Sequence, residues 1–408
     1  MLLYNLSIWF YTLAIKLVSP FNTKAKAFLK GRKTTFENLT SYRQKEKREI
    51  LWFHAASLGE FEQGLPVMER FRLDYPDAAI TVSFFSPSGY ERRKYHPIAD
   101  FTCYLPIDNH KNARQFIQIL NPKAAFFIKY EYWFHFLSEA RNAKVPVYSL
   151  SARFTKGHMF FKPRAKFQRS ILKLVSHFFV QTAESQNLLK SIEINSSTLS
   201  GDTRFDRVKQ TVSQPESFET IAEFKGNKKL LIVGSAWASD LDVIAGFINS
   251  TQNLKVIIAP HEVDEKHVQF ITKHLSKPFD LYTEKSEYNS DILILNTVGM
   301  LSHIYQYGDF AYIGGAFGAG LHNILEAVAF GLPVVFGNKG LDKFPESTEL
   351  ADKNGAWIVS NAIKAKEALA DLMDDNFRQE ASQVCLNYIE EKAGATESIM
   401  SYFKSNGL

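Results

Sequence analysis

At 408 residues the chain exceeds one ordinary hydrophobic core, so two domains are expected. Its 45% hydrophobic and 22% charged residues exclude a disordered chain, and a net charge of +5 is too small on its own to argue for nucleic acid, although it suits an anionic membrane surface or phosphorylated ligands. The two cysteines, Cys103 and Cys385, lie far apart with no CxxC spacing, which excludes a disulfide framework and a cysteine zinc site and points to a reducing cytosolic setting.

The first 21 residues, MLLYNLSIWFYTLAIKLVSPF, are nearly all apolar, with Lys16 the single charge. No basic leading segment or small-residue cleavage site marks a removed signal peptide. Tyr4, Trp9 and Tyr11 favour a membrane interface, and Lys24, Lys26, Lys30, Arg32 and Lys33 follow. Apolar residues run around the whole helix rather than along one stripe. Residues 1–21 are therefore expected to anchor a cytoplasmic body to a membrane rather than to form a buried core helix.

After the polar RQKEKRE, strands alternate with helices. EILWFHAA reads as a strand that feeds the helix GEFEQGLPVMERFRLDYP. At that turn stand Glu60, directly after Gly59, and Glu62. A strand-to-helix turn in an α/β protein faces a ligand crevice, so a glutamate there is either a helix N-terminal charge or a catalytic base. AAITVSFFS, FTCYLPID, AAFFIKYEYW, VPVYSLSA and HFFVQTA continue the strand series and imply parallel βαβ construction. SPSGYERRKYHP opens a helix with Ser86, Ser88 and Gly89 at its turn, and IKYEYWFH puts Glu131 and Trp133 at another. SARFTKGHMFFKPRAKFQR surrounds HMFF with Arg153, Lys156, Lys162, Arg164, Lys166 and Arg169. That interleaving is compatible with nucleic acid, but beside an apolar N-terminus it reads as a lip gripping an anionic lipid head group.

A polar, turn-rich stretch from Arg207 to Lys229 is the expected interdomain linker, and a second series follows: LLIVGSA, LKVIIAPHE, DILILNT, FAYIGGA and LPVVFGN. Two α/β domains with a crevice between them are expected: 22–210 and 229–380, joined by 211–228, with a helical segment, 381–408, returning to the first. In YIGGAFGAGLHNILEAVAFGLPVVFG a strand ends at Gly314-Gly315, a glycine-rich loop runs through Gly318, Ala319 and Gly320, and a helix is expected to open near His322-Asn323. Glycines let backbone amides approach a ligand, and a helix N-terminus favours phosphate. Glu326 either completes a capping box with Asn323 or accepts hydrogen bonds from a ribose. The pattern is not GxGxxG, so NAD is not expected. Ser235 stands at the end of LLIVGSA, and His261 and Glu262 at the end of the next strand. HEVDEKH is not HExxH, and no metal-ligand set is expected.

Taken together, these residues resemble the Kdo transferases of lipopolysaccharide assembly, which move 3-deoxy-D-manno-octulosonic acid from CMP-Kdo onto the lipid A precursor. The marks are HAASLGE, SPSGYER, YLPID, KYEYW, SARF, VQTAES, GDTRFD, VGSAWASD, APHE, GGAFGAGLHNILEAVAFGLPVVFG and GNKGLDKF. Where the family has a Glu-Thr-Glu-Leu-Trp-Pro-like segment this chain reads KYEYWFH, so Lys129 replaces the first Glu. The resemblance implies a GT-B glycosyltransferase fold of two Rossmann-like domains and an inverting transfer at the cytoplasmic side of the inner membrane, without metal, cofactor or nucleic acid. It implies Glu60 as catalytic base. Burial against Phe53 and Phe61 is expected to raise the Glu60 pKa, and Glu62 is expected to be a helix N-terminal charge. Acceptor binding falls to Ser57, Gly59, Ser86, Ser88, Glu131, Arg153 and Arg204. Donor binding falls to Ser235, His261, Glu262, Gly318, Ala319, Gly320, His322, Asn323 and Glu326, with the 318–320 amides and the helix opening receiving the leaving phosphate. The rival expectations are a GT-B enzyme using a UDP-sugar and a UDP-sugar epimerase.

Overall fold

The computed structural model describes residues 1–284 and 287–408. They form two compact units, residues 1–207 with 393–408, and residues 208–392.

The first unit is built on seven parallel strands: β1 (Glu49–Ala55), β2 (Ala78–Phe84), β3 (Phe101–Tyr104), β4 (Ala124–Ile128), β5 (Val147–Ala152), β6 (His177–Val180) and β7 (Ser197–Leu199). Their order is β3-β2-β1-β4-β5-β6-β7. The runs ILWF in β1 and AAFFI in β4 are fully buried, as central parallel strands must be when helices cover both faces. The strand order reverses between β1 and β4, where His54 pairs with Phe127. That reversal sets the turn leaving β1 beside the turn leaving β4, the place where an open α/β sheet receives a ligand. The chain's last helix, Ala395–Asn406, belongs to this unit: Phe403 packs on Tyr148 at 4.8 Å and on Phe71 at 5.1 Å between ring centroids. Burying one such ring contributes about 2–3 kcal/mol.

The second unit carries β8 (Lys229–Ala236), β9 (Leu254–Pro260), β10 (Phe279–Leu281), β11 (Ile292–Ile294), β12 (Phe310–Ile313), β13 (Val334–Phe336) and β14 (Ala356–Ile358), in the order β10-β11-β9-β8-β12-β13-β14. Its reversal lies between β8 and β12, where Gly234 pairs with Ile313. The stretch read as a turn-rich linker is instead mostly helical. Helices Thr203–Ser213 and Glu219–Lys225 occupy it, because Pro215 and Gly226, the latter at φ +52°, interrupt helix-forming residues without dissolving them.

Helix Leu2–Val18 is not a core helix. Tyr4, Ile8, Thr12 and Ile15 form a half-buried seam against the first unit, while Leu2, Leu3, Leu6, Trp9, Phe10, Leu17 and Val18 are exposed. Among the described residues no single helix is long and apolar enough to cross a membrane, and only helices Leu2–Val18 and Thr23–Arg32 together, bent by 119°, reach that length and composition. The seam is pinned by buried Asp108. It accepts the Tyr4 hydroxyl, and it accepts the amides of His135 and Phe136 at 3.2 Å apiece, so one carboxylate caps helix Phe134–Asn142 and holds the N-terminal helix. Asn5 Oδ1 adds a 2.7 Å bond to His135 Nε2.

Candidate functional site

In the first unit the turns after β1 and β4 converge. Ser57 caps helix Leu58–Asp74, and Glu60 sits three residues on, the spacing of a capping box. Glu60 is 9% exposed, and its Oε2 accepts the Ala56 amide at 2.5 Å. Burial lifts its pKa above the ordinary glutamate value, as expected from the sequence, against the Ala56 amide and the charge of Lys129, which pull it down. A side chain on Gly59 would meet nothing within 4 Å, so the turn is open at the residue before Glu60. Glu60 thus combines a bracketing bond at the helix entry with a carboxylate that is buried and of raised pKa.

Glu131, on the turn after β4, feels Glu60: burial first and that neighbouring charge second push its pKa up to about 7. Glu60, Arg153, Arg204 and Asp202 all act electrostatically on the Tyr130 phenol, so the expected base Glu60 and the expected acceptor residues Glu131, Arg153 and Arg204 lie in one cluster. Arg204 is held by buried Asp202 through its Nε at 2.9 Å, and Asp202 also accepts from Gln63 at 2.8 Å. Ser86 caps its helix by accepting the Gly89 amide at 3.3 Å and lies 3.1 Å from the exposed Ser88 hydroxyl. Glu62 is not a helix N-terminal charge. It binds Arg93 Nε at 2.8 Å and Arg207 Nε at 3.2 Å and ties three segments of the unit together.

In the second unit the turns after β8, β9 and β12 converge. Trp237 stacks on His261 at 4.3 Å, and His261 on His322 at 4.6 Å. The Trp237 indole N–H donates to His322 Nε2 at 3.1 Å. Burial, then the nearby His261, hold the His322 pKa down to about 4, so the ring is neutral, and its one proton must sit on Nδ1. His322 therefore carries its one N–H donor on Nδ1. Fully buried Asp240 organises the turns: its Oδ2 accepts the amides of Trp237 at 2.9 Å and Gly315 at 2.8 Å, and its Oδ1 accepts the Tyr312 hydroxyl at 3.1 Å. Gly314 is required for this approach, since a Cβ there would lie 2.4 Å from the Ser235 carbonyl oxygen and 2.6 Å from Asp240. Ser235 itself adopts φ +52°.

Two expectations for the glycine-rich loop change. The helix opens at Leu325 rather than at His322-Asn323, because the His322 ring is held in the aromatic stack; the helix is five residues, Leu325–Ala329. Asn323 accepts the Leu325 amide at 3.2 Å and donates to Glu326 at 3.0 Å, so the pair is an end-of-helix bracket. The amides of Gly318 and Gly320 both bond to the Gly315 carbonyl at 2.9 Å, and Ala319 between them joins neither bond. Although no metal-ligand set was legible, Glu262, Asp264 and His267 bring ligand atoms within 4.8 Å of one another. His267 already bonds Asp264 at 2.8 Å, which caps helix Glu265–Thr272, and Glu262 is exposed.

Sequence reasoning passed over Asp240, Trp237, Tyr130 and Asp202. The one available signal was the placement of Asp240, three residues after Trp237 at a strand-to-helix turn in GSAWASD.

A family model described as 3-deoxy-D-manno-octulosonic-acid transferase (kdotransferase) matches residues 33–207. A 3-deoxy-D-manno-octulosonic acid transferase of Chlamydophila psittaci is 25% identical over 302 residues, 71% of this chain and 69% of that protein. One of Aquifex aeolicus is 25% identical over 352 residues, 83% of this chain and 91% of that protein. A solved UDP-GlcNAc 2-epimerase from Neisseria meningitidis superposes with a TM-score of 0.63 over 88% of this chain and all of that one, at 13% identity, a likeness of fold. With its two parallel seven-stranded α/β sheets the chain has the GT-B fold that the sequence resemblance implied.

Proposed function

We propose that this chain, which belongs with the Kdo transferases and is a glycosyltransferase, moves Kdo from CMP-Kdo to a sugar hydroxyl of the lipid A precursor, inverting the anomeric carbon. The observation that carries the reading is Glu60, a buried carboxylate of raised pKa on an open turn at the switch point of the first sheet. An in-line displacement needs one base to take the acceptor proton and fixed donors to receive the departing phosphate. Glu60 takes the proton on Oε1 while Oε2 stays on the Ala56 amide. Ser57, Gly59, Ser86, Ser88, Glu131, Arg153 and Arg204 hold the acceptor. Ser235, His261, Glu262, Asn323 and Glu326 frame the donor, the Ala319 amide and the His322 Nδ1–H face its phosphate, and Gly318 and Gly320 shape the loop. CMP is already a good leaving group, so the step calls for no metal or cofactor.

The donor is tested by thermal protection. CMP is expected to raise the Tm more than UMP or UDP at equal concentration. A larger shift with the uridine nucleotides replaces this reading by a UDP-sugar enzyme of the same fold.

Glu131 gives the reading a pH signature. Its pKa of about 7 means that ionisation near neutrality adds a second negative charge beside Glu60. The kcat/KM profile is expected to bend near pH 7, and Glu131→Gln to remove the bend. A bend that survives in the variant assigns it to another group.

The exposed face of helix Leu2–Val18 supports attachment to the cytoplasmic side of the inner membrane. Replacing Leu6, Phe10 and Leu17 together by Glu keeps the Tyr4–Asp108 seam. The variant is expected to leave the membrane fraction while CMP protection is unchanged. A variant that still sediments with membranes places the anchor at Met159–Phe161.

A further inference from the structure

We infer that the first unit carries a dedicated site for one fatty acyl chain of an anionic lipid, lying between the N-terminal helix and the Met159–Phe161 turn; its assignment to the acceptor rests on the function proposed above. A cavity of about 780 Å³ opens there, within the size range of roughly 300–1,000 Å³ typical of small-molecule sites. Leu2, Leu3, Tyr4, Trp133, Met159, Phe160 and Phe167 supply its apolar wall.

Three features select an acyl chain on a negatively charged head. The first is the wall itself, which offers an apolar tail many contacts and few polar partners; the cavity's charged lining is Arg164 and Glu131. The second is charge. Residues 153–173, which give Met159, Phe160, Arg164 and Phe167 to the cavity, hold seven cations and not one acidic residue. Arg169 fixes this segment by donating to the Phe160 carbonyl at 3.1 Å and the Lys162 carbonyl at 2.8 Å. An apolar hollow walled in part by so basic a segment complements a lipid whose head is phosphorylated. The third is continuity. Tyr130 and Glu131 line the cavity and belong to the turn whose charges couple to Glu60, so a tail in the cavity delivers its head group to the candidate base. The wall is also preformed, because Tyr4 is locked to Asp108 and stacks edge-on against Phe134 at 5.8 Å. The N-terminal helix is then part of the substrate site as well as an anchor.

The test uses the full-length protein carrying Trp9→Phe, so that Trp133 is the tryptophan beside the cavity. The probe is a lysophosphatidic acid with a brominated acyl chain, kept below its micellar concentration and without vesicles. Saturable quenching of tryptophan emission is expected, and Leu3→Asp or Met159→Asp, at positions 79% and 59% exposed and so harmless to folding, is expected to weaken the probe at least tenfold. With acylated acceptor the same two substitutions raise KM at least tenfold and leave kcat in place. Quenching that does not saturate, or that both Asp variants retain, overturns the acyl site. Saturable quenching in a protein that transfers no sugar upholds the acyl site and removes the function proposed for the acceptor.

Discussion

Glu60→Gln is expected to lower kcat by about 10²–10⁴-fold, the range associated with losing a positioned general base. The substitution isolates chemistry from folding. Glutamine keeps a carbonyl oxygen for the Ala56 amide, so the entry to helix Leu58–Asp74 stays bracketed. The sign of the stability effect follows from the raised pKa. A carboxyl that binds its proton more tightly folded than unfolded favours folding at low pH and loses that favour as the pH rises through its folded pKa. Above its folded pKa the ionised Glu60 is therefore a burden on the fold, and there the glutamine protein should melt no lower than the parent. CMP protection should be unchanged, because Glu60 lies in the first unit and the candidate donor residues in the second. Turnover near the parental rate would remove Glu60 from the mechanism and leave it a helix cap.

Asp240→Ala should have the largest effect on the donor side without touching the donor. Two backbone amides and a phenol lose their buried acceptor, at roughly 1–3 kcal/mol each when left unpaired, less whatever water recovers. A net loss of about 3–5 kcal/mol lowers the Tm of the second unit by roughly 10 °C. The turns after β8 and β12 lose their common tether, so CMP affinity should fall at least tenfold, by about 1.4 kcal/mol. Asp240→Asn keeps one carbonyl for the amides and should lose less on both counts. Equal melting and equal CMP affinity in all three proteins would show that the loop holds its shape without Asp240.

The legible parts of the molecule were those written in long apolar runs. ILWF, AAFFI and LLIV could only be central parallel strands, and their alternation with helices gave both domains. The edge strands β7, β10 and β14 escaped because three residues half covered by solvent leave no periodic mark. The place of Glu60 on the turn after β1 was legible because a glutamate directly after glycine, behind a long apolar run, marks a strand-to-helix turn. Asp240 was not, because an aspartate three residues into a helix reads as an ordinary cap until the Gly315 amide arrives from a strand far along the chain. The late helix start at Leu325 was equally hidden, since the stack that holds His322 draws Trp237 and His261 from other turns. Local spacing predicts caps and turns, and tertiary partners decide which of them become sites.

The central claim is a transfer of Kdo, and mass spectrometry reads it directly. Purified full-length protein is incubated with CMP-Kdo generated in place and a tetraacylated lipid A precursor. A product heavier by one Kdo, or by two for a bifunctional enzyme, and absent with Glu60→Gln, is the predicted result. An unmodified acceptor in the presence of bound CMP would contradict the proposed acceptor, and an unmodified acceptor without CMP binding would contradict the donor as well.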